Sequence, residues 1–432
     1  MARGRLLSIG LACVLLVVAA ACSMAGETQS VAPSGSAESA TVSSSSLPSD
    51  TALATDAASA DAATLPTTAG ERLRWVKVDV PSALAAGVAG GTFNAIFGWS
   101  HGYIAFHQSM GAGPVAPWTS ADGRTWKEGT SMDATGLPYG VSVEDVAEGP
   151  AGMVAVGRPP GCADDGSGCM PKPATAIWTS TDGDVWSRLD MQRAFGGGVV
   201  GDVSAGSKGY MALGPSTDAE AASPAVWLSS NGTTWQRVDL SGSSFADAFL
   251  ARGMVLPDGY LIAGRVGTVA GHGSGYYPAT TPAIWWSRDG VVWTSVALDG
   301  MKPDPEAEAA VTRITDAKLA ARTVSWDCRG PACVVEGADT TWTSTDGRVW
   351  TKAQGRLPPQ LTFSDGRRAL AIGEVDGVLT VETTTDGFTW TRLPASAGAP
   401  ADLFDAALGP SGLLIASVDQ SLWLATIEST GS

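Results

Sequence analysis

The sequence predicts an all-β chain: a seven-bladed β-propeller of four-stranded antiparallel blades, with an N-terminal strand closing the last blade. Three observations lead there. A pattern of Trp, seven residues, Trp recurs five times around an Asp-Gly or Asn-Gly step: Trp118 to Trp126, Trp178 to Trp186, Trp227 to Trp235, Trp285 to Trp293 and Trp342 to Trp350. Two further strand-like runs precede each hairpin, which makes four strands per repeat and a propeller blade. Finally, the chain ends on three strands without a fourth, and a strand that fits the gap stands at the other end.

The first segment is a sorting signal. Arg3 and Arg5 precede an apolar run from Leu6 to Ala21, too short to persist as a membrane-spanning helix and built like a secretory signal peptide over residues 1–21. Val18-Ala19-Ala20-Ala21-Cys22 resembles a lipobox, with Ala19 where Leu is favoured. That resemblance implies a lipidated Cys22 and a lipoprotein anchored to the outer face of the cytoplasmic membrane, extracytoplasmic. An ordinary signal peptide with an incidental Cys22 is the alternative. High Ala and Gly content, with the lipobox, suggests a high-GC Gram-positive source. Residues 22–70 are Ala, Ser and Thr with scattered Pro and acids, so they have nothing to bury and form a disordered tether. As a coil it extends on the order of 40 Å.

The ring occupies residues 71–432, roughly 50 residues per blade. Arg74-Trp75-Val76-Lys77-Val78-Asp79 matches the outer strand Thr234-Trp235-Gln236-Arg237-Val238-Asp239, so the N-terminal strand is expected to complete the last blade. Closure removes free sheet edges and staples the termini. Inner strand pairs include Val143 to Ala147 with Met153 to Gly157, Val203 to Ala205 with Gly209 to Leu213, and Ala248 to Leu256 with Gly259 to Ala263.

In each hairpin, runs such as Ala176 to Ser180 and Val185 to Leu189 are rich in β-branched and aromatic residues and flank Asp182-Gly183. Gly supplies the positive φ of the turn. A two-residue loop would set the two Trp side chains on opposite faces. A three-residue loop with Gly183 left-handed would pair Trp178 with Trp186 on one face, and this is the expectation. Burial of both faces between neighbours is the alternative. The structural repeat positions are Asp122 and Trp126, Asp182 and Trp186, Asn231 and Trp235, Asp289 and Trp293, and Asp346 and Trp350. A sixth copy keeps Asp386 and Trp390 but carries Glu382 in place of the first Trp.

Ser-x-Asp-Gly-x-x-Trp, as in Ser180 to Trp186 and Ser344 to Trp350, resembles a shortened Asp-box, or BNR-like repeat, of sialidase-like propellers and related bacterial surface proteins. The resemblance implies the fold. It does not imply catalysis, because Asp-boxes are structural turns in catalytic and non-catalytic members alike. The sialidase hallmarks are an arginine triad, a Phe-Arg-Ile-Pro segment and a Tyr/Glu nucleophile pair. No Phe-Arg-Ile-Pro stands in this chain, and Arg252, Arg265 and Arg313 sit in no matching motif.

Four cysteines lie in the ring, as the local pairs Cys162 with Cys169 and Cys328 with Cys333. In an oxidising compartment two short-loop disulfides are expected, against free thiols or a metal site. With three histidines (His101, His107 and His272) and no phosphate loop, EF-hand or Ser/His/Asp set, no metal or cofactor is expected. A net charge of −16 argues against nucleic acid or an anionic membrane face as partner.

A propeller's loops divide between two faces. Turns joining strands 1–2 and 3–4 open on one face and are short here. The other face carries 130–140, 160–173, 216–223, 266–282 and 299–310. On it, His272, Tyr276 and Tyr277 in a Gly-rich loop could stack on a sugar or a protein side chain, or fold back over Trp286. Asp164-Asp165 with Asp304 and Glu306 would make a carboxylate rim, a loose calcium site or a solvated acidic loop. The functional expectation is a monomeric, membrane-anchored propeller that binds an envelope protein or glycan without chemistry of its own. A glycoside hydrolase or lyase with carboxylates near the axis, and an assembly scaffold for a membrane complex, are the alternatives.

Overall fold

The computed structural model describes Arg3, Gly4 and most of residues 70–429; outside the described residues within that span lie 82–83, 85–91, 109–114, 136–140, 159–174, 216–222, 242–244, 268–280, 301–306, 328–333, 355–360, 376–377, 395–397, 401, 418 and 420. Seven antiparallel sheets are present, each with a blade of four strands. From the channel outwards, blade 1 runs Thr92–Trp99, Gly102–Gln108, Val115–Ser120 and Lys127–Glu128. Blades 2 to 6 repeat this order, with inner strands Ser142–Gly149, Asp202–Gly206, Ala248–Val255, Ala307–Thr315 and Leu361–Ser364. In blade 7 the inner three strands, Asp405–Gly409, Gly412–Ala416 and Leu422–Ser429, come from the C-terminus and the outermost, Glu71–Val78, from the N-terminus.

The closing strand pairs along its whole length, from Glu71 opposite Ser429 to Val78 opposite Leu422. It buries Leu73, Trp75 and Val78, and Arg72 and Arg74 both reach Glu428. Trp423 takes the register of the first Trp of a repeat, and Trp75 takes that of the second. The seventh copy of the pair is therefore split between the two termini, with Lys77 5.5 Å over the Trp423 ring.

The hairpin turns differ from the sequence expectation in length. Ser287 pairs with Trp293 and Trp285 with Ser295, so the loop between paired positions is 288–292, five residues rather than three. The two Trp are diagonal neighbours instead of direct partners, yet they share a face as expected, because their positions differ from a cross-strand pair by an even step. The Asp side chain sets the length. In the second copy, Asp182 Oδ1 accepts from the N–H of Asp184 and of Val185, both at 2.9 Å. The same two bonds recur at Asp122, Asn231, Asp289, Asp346 and Asp386. A glycine follows each, with φ between 72° and 91°. Its N–H binds the Ser or Thr hydroxyl three residues back in five copies. The indole N–H of Trp186, Trp235, Trp293 and Trp350 closes back on the glycine carbonyl at 2.8–3.0 Å. That of Trp126 and Trp390 is buried with no hydrogen-bond partner.

Both Trp of a hairpin enter the cluster shared with a neighbouring blade, as Trp178 and Trp186 do with Phe97, Ile104 and Phe106 of blade 1. Trp178 and Trp285 are fully buried. Each such ring contributes about 4–6 kcal/mol of transfer free energy, so the Trp pairs are the glue between blades. Between blades 2 and 3 a one-turn helix, Met191–Phe195, is capped by Asp190 and places Phe195 against Trp227 and Trp235. In blade 6 Glu382 replaces the first Trp. It is fully buried and faces Arg392, its cross-strand neighbour, at 3.8 Å.

Candidate functional site

Inner strands have one edge paired within the blade and the other turned to the axial channel, so their channel-side N–H groups need partners. One position per blade answers this. Ala95, Asp145, Asp202, Arg252, Ala310, Leu361 and Asp405 stand in equivalent register, opposite Phe106, Val156, Leu213, Ala263, Arg322, Ile372 and Ala416.

The three aspartates act as staples. Asp145 accepts from Val146 N–H of its own blade and from Val203 N–H of blade 3. Asp202 accepts from Gly253 N–H of blade 4 at 2.8 Å. Across the closure, Asp405 accepts from its own Ala406 and from Ile96 of blade 1, both at 2.8 Å. Arg252 reaches back over two blades, its Nη1 3.3 Å from Asp202 and 3.9 Å from Asp145. Both carboxylates are almost wholly buried. Burial pushes the Asp202 carboxyl up to about 7; Arg252 opposes the shift and Asp145 adds to it.

On the short-turn side of this cluster lies a cavity of about 50 Å³, lined among others by Trp99, Asp145, Glu148, Ser204 and Arg252. Its rim is braced by Ser100, whose N–H and hydroxyl both bind Glu148, while His101 Nδ1 lies 2.8 Å from the Ser100 hydroxyl and its ring packs on Trp99. With Glu148 taking the Ser100 proton, His101 has none to abstract there, so the trio braces a turn and forms no nucleophile–base pair. On the elaborated face a groove of about 740 Å³ opens between blades 3 and 4, lined by Arg237, Asp239, Phe245 and Asp247 among others. Asp247 holds φ at 56°, the left-handed region, at the turn into blade 4's inner strand.

Of the sequence-derived residues, Arg252, Arg265 and Arg313 are held by different partners. Arg265 stacks over Phe249 at 4.8 Å, and Arg313 donates to the Val255 carbonyl at 3.5 Å. Cys22, Cys162, Cys169, Cys328, Cys333, His272, Tyr276 and Tyr277 lie outside the described residues, as do Asp164, Asp165, Asp304 and Glu306. The axial carboxylates went unnoticed in the sequence, although a signal existed: Asp145, Asp202, Arg252 and Asp405 each stand seven residues before the glycine that opens the second strand, Gly152, Gly209, Gly259 and Gly412.

No protein-family model matches the chain, and no curated protein does. Solved structures with a similar fold include the polysaccharide lyase Uly1, at 10% identity and TM-score 0.44 over 85% of this chain and 99% of that one. They also include YCF48 bound to D1 peptide, at 12% and 0.41 over 85% and 98%. A lectin of Aleuria aurantia is similar at 10% and 0.34 over 78% and 99%. At this level of similarity none of the three bears on what the chain binds or does.

Proposed function

We propose that the chain is a non-catalytic binding propeller of the cell envelope, held to the outer face of the cytoplasmic membrane through lipidated Cys22 and presenting its ring to a protein or glycan ligand. The observation that carries this reading is the fate of the axial carboxylates. A glycosidase needs two carboxyl groups facing an open substrate cleft, one of them free to give a proton and the other free to attack or activate water. Asp145 and Asp202 instead face Arg252 and the backbone N–H groups of the next blades, contacts that tie neighbouring blades together rather than present a carboxyl pair to a substrate cleft.

The groove between blades 3 and 4 supports the choice of the elaborated face as the binding face. Crosslinking on intact cells is the test, comparing the native chain with Cys22→Ser. The expected result is a discrete crosslinked envelope species for the native chain and release of Cys22→Ser from the membrane fraction. Hydrolysis or elimination of an envelope glycan by the purified chain would overturn the reading.

A further inference from the structure

The staples leave a gap. The residue after each axial position is Ile96, Val146, Val203, Gly253, Val311, Thr362 or Ala406 in turn around the ring. Five of these N–H groups are capped by an aspartate: Ile96 and Ala406 by Asp405, Val146 and Val203 by Asp145, and Gly253 by Asp202. Val311 of blade 5 and Thr362 of blade 6 have no such cap among the described residues. The reason is in the sequence, since Arg252, Ala310 and Leu361 stand where a capping carboxylate would have to be. At that gap the chain has placed an extended segment. Arg3 pairs with Phe363 and Gly4 with Thr362, antiparallel, which adds a fifth strand to blade 6 on its channel side.

We propose that the channel edge of blade 6 is a strand-addition site, which takes an extended peptide segment of a protein ligand once the N-terminal segment has left it. The inference deepens the binding reading above, choosing protein over glycan, and rests on removal of residues 1–21 at export. Backbone N–H and C=O groups of an uncapped edge supply the affinity, as in other cases of β-augmentation. Thr362, whose hydroxyl is also buried without a partner, marks the centre of the site. The capped edges of blades 1, 2, 3, 4 and 7 exclude the same ligand there, because a carboxylate already occupies each donor.

Hydrogen exchange on the full chain tests this, compared with a chain lacking residues 2–12, with and without a synthetic peptide of residues 1–10 as the probe. Amides of Leu361–Ser364 are expected to lose protection in the shortened chain and to regain it when the peptide is added. Ala310→Asp restores the missing cap and should abolish the rescue by peptide. Thr362→Pro deletes the donor at a position whose N–H faces away from the blade's own ladder, and should do the same. A tryptophan-fluorescence melt of each variant establishes that the ring is folded. Protection of Leu361–Ser364 that is unchanged by the deletion, or a rescue that survives both substitutions in folded protein, would overturn the proposal. Peptide rescue with no envelope ligand captured on cells would leave this site standing and sink the broader reading.

Discussion

Replacing Arg252 with Leu should destabilise the ring in a pH-dependent way. Its Nη1 lies 3.3 Å from Asp202 and 3.9 Å from Asp145. At an effective dielectric constant of about 20 these contacts are worth about 5 and about 4 kcal/mol. Removing the guanidinium also relieves its own desolvation, so the net loss expected is about 3–5 kcal/mol, the usual cost of orphaning a buried charge. The sign with pH follows from Asp202. Its carboxyl is raised to about 7 from the ordinary 3.8, so the folded state binds a proton that the unfolded state does not across that interval. Stability from this group is complete below the unfolded value and is lost as pH rises through about 7. Without Arg252, which opposes the shift, Asp202 holds its proton still more tightly. The deficit of Arg252→Leu should therefore be largest at pH 8 and shrink on acidification, by up to about 1.4 kcal/mol per unit as Asp202 takes up its proton. Thermal melts followed by tryptophan fluorescence at pH 8 and pH 6 read this out, with a drop of roughly 5–10 °C at the higher pH. An unchanged melt, or an equal drop at both pH values, would refute the staple.

Removing Glu71–Val78 should abolish the cooperative melt, because it uncovers the edge of Leu422–Ser429 and strips Leu73, Trp75 and Val78 from the core, roughly 6–10 kcal/mol of apolar burial. A melt like that of the intact chain would contradict closure. Trp285→Ala should cost about 3–5 kcal/mol in urea unfolding, since the ring is fully buried between blades. Asp122, Asp182, Asp289 and Asp346 are held below the ordinary carboxylate value, chiefly by the backbone N–H three residues on. Their contribution is present above the unfolded pKa and is lost as pH falls through the folded one, so in hydrogen exchange the turn at Asp346 should open at a higher pH in the wild-type ring than the same turn in an Asp346→Asn variant, and opening at the same pH would contradict the role. Fractionation of Cys22→Ser should find it in the medium rather than with membranes, and retention would count against the lipobox.

What could be read from the sequence was whatever repeats. Five Trp pairs and their Asp-Gly steps announced the blades, and the likeness of Arg74–Asp79 to Thr234–Asp239 announced the closure. Loop length was misjudged because hairpin rules count residues from strand pairing alone, whereas here the Asp side chain caps two N–H groups and needs five residues to do so. Trp423 escaped notice as the first Trp of the seventh copy because its partner, Trp75, lies at the far end of the chain. The axial site was hidden for a different reason: a lone Asp in a strand reads as an exposed residue, and only the constant distance to the next glycine gives it away. Arg252 keeps that spacing to Gly259, yet its role was not legible, since its partners Asp202 and Asp145 lie on the two blades that precede it.

A ring that binds without chemistry of its own leaves its ligand intact. The labelled ring, residues 71–432, is applied to an array of envelope proteins, envelope glycans and sialosides, and every bound spot is analysed for product by mass spectrometry. Retention on at least one spot with the ligand chemically unchanged is expected. A cleaved or unsaturated product that disappears in an Asp145→Asn or Asp202→Asn variant would contradict it.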